Sequence, residues 1–263
     1  MVRIAKNSIH SYLVDILDAI DKFCNAEGIR YSMAYGTLIG AVRHKGFIPW
    51  DDDIDIVMPR PDFERFIASF GKNPDDRYKC IYQCKDDSAY FKHIFAKVHD
   101  TKTLIKQDIF RYGLYVDIFP VDGKPDDVET QQWMERTLTR YAHRLTLCSC
   151  HINPFNLHRP LAASIEAHLK GSDYYIAECN KIISQYPYEK CTKAGAVSMT
   201  RNGTREVFDK SLFESYTTLP FEGREFKAFK NYELFLTQQY GDYMALPPVS
   251  QRKSHNITAY LLP

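Results

Sequence analysis

Long hydrophobic runs are missing from this 263-residue chain: nothing approaches the roughly 18–20 consecutive apolar residues that a membrane-spanning helix requires. The first ten residues, Met1 to His10, lack the apolar core that a secretory signal carries. The expected location is therefore the cytoplasm. An excess of one charge is missing as well. With 34 Lys and Arg against 33 Asp and Glu the net charge is +1, which gives no global pull toward nucleic acid or a bilayer. No nucleic acid partner is expected. Cysteine is present without a framework. Seven cysteines, an odd number at irregular spacing, read as free thiols rather than cross-links. Cys148-Ser149-Cys150-His151 and the Cys80/Cys84 pair are the metal-like groupings, and neither has the paired four-ligand spacing of structural zinc. There is no internal repeat and no low-complexity stretch. What is left is ordinary globular composition, 44% hydrophobic and 25% charged, long enough for one large domain or a core with an insertion.

The chemistry is concentrated between Gly36 and Ile56. This stretch holds a glycine turn (Gly36-Thr37), a basic cluster (Arg43-His44-Lys45) and, after Pro49-Trp50, the run Asp51-Asp52-Asp53-Ile54-Asp55-Ile56. In a strand, residues two apart share a face. Ile54 and Ile56 would then face a core while Asp53 and Asp55 face an open site, joined by Asp51 through the same parity; Asp52 would point the other way. Like charges held that close repel and invite a cation. Mg²⁺, or Mn²⁺, holding a phosphate is the matching expectation, with Arg43, His44 and Lys45 placed to steer or clamp the anion. Backbone N–H groups at Gly36 and Thr37, opening a helix after a strand, suit the same phosphate.

Around this stretch the periodicity predicts a helix over Ile9–Phe23 that ends at Gly28, and a strand over Ile29–Tyr35. A short helix Leu38–Arg43, a strand Asp53–Met58 and a helix Asp62–Phe70 are expected next. Strand-like runs follow at Tyr78–Gln83, Phe91–His99 and Leu114–Phe119, the last carrying Asp117 as its one charge. From Pro125 to about Tyr186 the pattern is helical with a break at Asn153-Pro154, and Asn231–Tyr240 reads as a final helix capped by Gly241.

These motifs resemble the LicD family, the bacterial phosphocholine transferases related to fukutin and the fukutin-related protein. The resemblance is close over residues 34 to 60. It returns in Tyr90-Phe91-Lys92-His93-Ile94-Phe95-Ala96-Lys97-Val98, in Gly113-Leu114-Tyr115-Val116-Asp117-Ile118-Phe119-Pro120-Val121-Asp122-Gly123, and in Tyr240-Gly241-Asp242-Tyr243-Met244-Ala245-Leu246-Pro247-Pro248 with Arg252 and His255. The fold it implies is α+β: a nucleotidyltransferase-like mixed-sheet core with an attached helical region. Gly36-Thr37, Asp53-x-Asp55 and Asp117 match that fold's glycine turn, paired carboxylates and third carboxylate. The expected division is a catalytic core over 1–125, a helical insertion over 126–215 suited to acceptor recognition, and a C-terminal segment over 216–263 that completes the site.

The activity implied is transfer of a phospho-alcohol group, first of all phosphocholine, from a CDP-activated donor to a sugar hydroxyl of a surface glycan or its lipid-linked precursor, with release of CMP. A lipid-linked acceptor implies a visit to the inner membrane face. Phosphoryl transfer is mostly positioning and charge neutralisation. Asp53, Asp55 and Asp117 would hold the metal and, with Asp52, make up the catalytic carboxylates; Asp117 or Asp52 would take the acceptor proton. Gly36, Thr37, Arg43, His44, Lys45, Lys97, Arg252 and His255 would meet the substrate. Among 18 tyrosines and 16 phenylalanines, Tyr35, Tyr112 and Tyr115 are candidates for an aromatic box around a quaternary ammonium. A metal-dependent glycosyltransferase is the alternative, since Asp-x-Asp also holds nucleotide sugars. A calcium-binding loop fits worse: Ile56 stands where an EF-hand needs glycine, and Asp62 where it needs glutamate.

Overall fold

A computed structural model describes residues 1–83, 92–105, 112–149, 161–252 and 254–263. The first helix, α1 (Ile9–Glu27), follows the expected periodicity. Its buried face is Ile9, Leu13, Val14, Ile16, Leu17, Ile20 and Cys24, and Gly28 ends it in the left-handed conformation with its N–H donated to the Cys24 carbonyl. The strand expected over Ile29–Tyr35 shortens to β2 (Ser32–Met33). The reason is local: Tyr35 takes a positive φ of 49° and starts α2 (Tyr35–His44). Gly36 and Thr37 thus sit inside the first turn of α2 rather than ahead of it.

The central strand is β7 (Tyr115–Lys124), buried along nearly its whole length, as expected of a strand covered on both faces. One edge of β7 pairs in parallel with β3 (Asp55–Pro59). Its other edge pairs first with β5 (Ala96–Asp100) and then with β8 (Lys193–Ala196), both antiparallel. Outside these lie β2 against β3, β4 (Tyr78–Ile81) against β5, and β9 (Phe208–Asp209) against β8. Helix α3 (Arg60–Ser69) follows β3 directly, with Pro61 in its first turn as expected. The strand expected over Asp53–Met58 begins only at Asp55, so Asp51 to Ile54 is irregular chain leading into the sheet.

Two long helices, α4 (Val128–Cys148) and α5 (Leu161–Ile183), pack against each other around Met134, Leu138, Cys179 and Ile182. The expected break at Asn153-Pro154 lies outside the described residues. A kink the periodicity did not foretell falls at Gly171, with φ 77° inside α5. Within 126–215 the helical character is held by these two helices, while β8 and β9 join the core sheet. Past residue 215, β10 (Tyr216–Phe221) and β11 (Arg224–Phe229) form a hairpin packed on β2. Helix α6 (Tyr232–Tyr240) ends at Gly241 as expected. The last strand, β12 (Ala259–Leu261), lies between β1 (Val2–Arg3) and β6 (Thr103–Ile105), so the two chain ends meet. Cys24, Cys148, Cys179 and Cys191 are free thiols; Cys84, Cys150 and His151 lie outside the described residues, as do Tyr90 and Phe91.

Candidate active site

The register of the sheet sets the floor of the site. Asp55 on β3 lies beside Asp117 on β7, and Asp117 lies beside Lys97 on β5. Three ionisable side chains from three adjacent strands therefore form one row. Lys97 is ion-paired with Asp117, both largely buried. Its ammonium also sits over the Tyr115 ring at 3.5 Å, with Phe95 at 5.4 Å and Tyr112 at 5.7 Å. Two of the three tyrosines proposed for an aromatic box thus hold a cation, and the cation is the protein's own lysine. The third, Tyr35, does something else: its ring is buried against Phe119 and Phe235, and its hydroxyl donates to Glu206 Oε1 at 2.8 Å.

Above the row, the irregular run before β3 brings more carboxylates to the first turn of α2. Thr37 Oγ1 accepts the Asp55 N–H at 2.8 Å and so fixes where β3 begins. At Gly36 an added Cβ would stand 2.6 Å from Asp51 Oδ2. Any larger residue would push that carboxylate off the end of the helix, where N–H groups lack intrahelical partners. Asp51, Asp53 and His255 each offer a ligand atom within 4.8 Å of the others. His10 holds the loop from below, its Nε2 2.9 Å from the Asp51 carbonyl and its ring stacked on Phe47 at 3.8 Å. Nothing in the pattern of α1 marked His10 for this part.

The electrostatics of the group are those of an excess of negative charge. Burial, then the neighbouring Asp51, raise the Asp53 carboxyl to about 7. Burial, then Asp53, Asp117 and Asp51, hold Asp55 well above the carboxylate range. Asp117 is raised by burial against the opposing pull of Lys97. For His255 burial alone would lower the imidazole, but Asp53, Asp52 and Asp51 together more than offset it and raise it. A divalent cation would relieve every one of these shifts. The donors are hard oxygens plus one imidazole, which suits Mg²⁺ through the carboxylates and Mn²⁺ through the full set.

Several residues expected at the substrate are committed elsewhere. Asp52, expected among the catalytic carboxylates and as a candidate base, is buried. It accepts Ser254 Oγ at 2.9 Å and the backbone N–H groups of His255 and Ile257 at 2.9 and 3.2 Å, and its Oδ1 lies 3.1 Å from His255 Nδ1. Burial raises its carboxyl, but these bonds win and the net shift is downward, the opposite of what a base needs. Arg43 donates to the carbonyls of Tyr243 and Ala245 at 2.7 and 3.0 Å and to His44 Nε2 at 2.9 Å. Burial and then Arg43 lower the His44 imidazole, consistent with that acceptor role. Lys45 is exposed and takes φ 60° to end α2. Arg252 bonds the Pro247 carbonyl at 3.0 Å and lies over the Trp50 ring at 4.6 Å. Burial and the nearby Arg252 lower the Arg43 guanidinium; the two cations are close enough to repel.

The LicD/FKTN/FKRP nucleotidyltransferase-domain model matches residues 28–160. The lipopolysaccharide cholinephosphotransferase LicD of Haemophilus influenzae is 33% identical over 256 residues, covering 95% of each chain. The chain belongs to the LicD family. Two uncharacterised rickettsial proteins, from Rickettsia typhi and Rickettsia prowazekii, match shorter stretches: 36% over 66 residues, 24% of this chain and 20% of the first protein, and 40% over 55 residues, 21% of this chain and 19% of the second. The LicD domain match contains the α2 turn, the Asp-rich run, Lys97 and Asp117. Arg252 and His255 lie beyond it, and it is the folding back of the C-terminal segment that puts His255 beside Asp53, at 3.5 Å. Among the described residues no helix is long and apolar enough to cross a membrane.

Proposed function

We propose that this LicD-family protein transfers phosphocholine from a CDP-activated donor to a sugar hydroxyl of a lipopolysaccharide-type glycan, releasing CMP. The observation that carries the reading is the convergence of Asp51, Asp53 and His255 on one point beside Asp55 and Asp117. The Haemophilus relative's activity supports the choice of phosphocholine and of the glycan. Asp51, Asp53, Asp55 and His255 would hold a divalent cation, Mg²⁺ or Mn²⁺, which when bound neutralises the donor's diphosphate oxygens. The first turn of α2 presents its N–H groups to the same anion. Arg43 and Arg252 supply positive potential without leaving their carbonyl partners. Asp117 takes the acceptor proton, and Lys97 beside it stabilises the carboxylate before transfer.

The test is calorimetric titration with CDP-choline, CDP-ethanolamine and a nucleotide sugar, each with Mg²⁺ and with EDTA. Metal-dependent binding of CDP-choline, and a phosphodiester on the glycan after incubation, are expected. Binding of a nucleotide sugar alone, with a new glycosidic bond in the product, would replace this reading with a glycosyltransferase. Asp53→Asn is expected to lower transfer by about 10²–10³-fold with the fold intact.

A further inference from the structure

A cavity of ≈ 500 Å³ opens at the far end of β3 and β7 from the carboxylate row. One wall belongs to the core: Arg60 and Glu64 of α3, Tyr82, and Asp122 of β7. The other belongs to the end of α5 and the chain after it: Asn180, Ser184, Tyr186 and Tyr188. At about 3.3 Å per residue along β7, Asp122 lies roughly 17 Å from Asp117. The cavity is therefore a different place from the transfer site, and its volume falls in the range of small-molecule sites.

Among the described residues its chemistry disfavours an anion. Arg60, the cation among them, spends three of its five N–H donors on carboxylates, which neutralise its charge. Its Nε and Nη2 donate to the two Asp122 oxygens at 2.6 and 2.8 Å, and its Nη1 to Glu64 at 3.0 Å. A phosphate would meet Asp122, Glu64 and Glu189 beside a guanidinium already neutralised by two of them. What the lining offers instead is aromatic faces, neutral amides, a hydroxyl and carboxylate acceptors. Among the described residues, Gln83 Nε2 is buried in this lining without a hydrogen-bond partner. An unpaired buried amide donor is costly, about 1–3 kcal/mol, and a turn of the Gln83 side chain into the cavity would let a ligand oxygen complete it. A hydroxyl both donates and accepts, so it can pair at once with a carboxylate and an amide. The C–H face of a pyranose ring is apolar and packs on tyrosine.

We propose that this cavity is a saccharide-binding cleft that takes a neutral, hydroxyl-rich segment of a glycan. Its assignment to the acceptor rests on the transferase reading above; its saccharide chemistry does not. A glycan long enough to span the two places would be anchored here while a hydroxyl several sugars away reacts. The cleft is built jointly by the core and by the end of α5 with the chain after it, which gives the end of α5 a part in acceptor choice.

The test is saturation-transfer NMR on the full chain, without nucleotide. The probes are lactose, chitobiose and a dephosphorylated core oligosaccharide released from lipopolysaccharide. Transfer to at least one of them is expected. It should fall at least tenfold in Ser184→Trp, which fills the mouth from an exposed position, and in Asn180→Ala, also exposed; circular dichroism checks both folds. It should survive Asp53→Asn and saturating CDP-choline. In the transfer assay both cleft variants should raise the acceptor KM with the donor KM unchanged. No saccharide signal in the wild type, or a signal that both variants leave intact, overturns the cleft. A signal abolished by Asp53→Asn places saccharide binding at the carboxylates and overturns it equally. Donor binding is read separately, so failure of the cleft and failure of the transferase reading are distinguishable.

Discussion

Asp52 and Asp53 are neighbours in sequence and opposites in energetics. Asp52 is satisfied by four contacts from Ser254, His255 and Ile257, so its loss strands buried donors. Asp53 is crowded by other carboxylates, so its loss relieves repulsion. In metal-free protein Asp52→Ala is expected to cost about 2–4 kcal/mol. Asp53→Asn is expected to be neutral or stabilising while lowering transfer by about 10²–10³-fold. Urea denaturation of both variants decides this; equal destabilisation would mean that the two carboxylates are not divided in this way. Metal removal separates them again. A cation bound only by the folded state adds stability by mass action, so EDTA should lower the melting temperature of wild type and of Asp52→Ala and leave Asp53→Asn unmoved. The sequence shows the carboxylates plainly, through their alternation with isoleucine. The same alternation puts Asp51 and Asp53 on one side and Asp52 on the other, and that is how they lie, although Asp51 to Ile54 is irregular chain rather than strand; what it does not show is what Asp52 meets. Asp52 is assigned by a segment two hundred residues away.

Elements were legible where one periodicity ran unbroken. Helix α1 and the Asp117 strand follow from theirs, and α3 from Pro61 after an apolar run. The β8–β9 and β1–β12–β6 pairings were not legible, since strands of two to four residues leave no period to read. Strand β5 shows what else such patterns conceal. Of its five residues Lys97, His99 and Asp100 are polar, and all three prove buried. Lys97 serves the site. His99 serves the fold: its Nδ1 accepts the Gly113 N–H at 3.2 Å, and burial lowers the imidazole to about 4. A histidine whose folded pKa lies below its unfolded value of 6.5 binds its proton more readily when unfolded. Its contribution is therefore fully present above pH 6.5 and is lost as pH falls toward 4, on the order of 3 kcal/mol. His99→Gln keeps an acceptor for Gly113 without the titration. Denaturation midpoints between pH 7 and 4 are expected to fall less steeply in that variant. His93, also lowered to about 4 by burial and then by Lys97, leaves a residual slope of the same sign. Parallel slopes in variant and wild type would place the proton elsewhere.

For the whole molecule, the decisive contacts join its two ends to the middle. Strand β12 ties β1 to β6, Arg43 on α2 holds the carbonyls of Tyr243 and Ala245, and Asp52 gathers the 254–257 turn. The C-terminal segment is thus both a structural strap and the source of His255, so site assembly and global stability are one event. Deleting residues 254–263 should remove the donors that hold Asp52 and leave its carboxylate buried and unpaired. A loss of about 4 kcal/mol or more is expected, roughly 10 °C in melting temperature for a chain this size. The distinguishing measurement is the double mutant. In the full chain Asp52→Asn destabilises, because a charged acceptor of several bonds is replaced by a weaker one. In the truncated chain the same substitution should stabilise, because it removes a buried charge with nothing left to answer it. That reversal of sign is a coupling between residue 52 and the tail. A substitution effect of the same sign and size in both chains would mean that the tail stabilises through β12 alone, and that His255 reaches Asp53 by a route independent of Asp52.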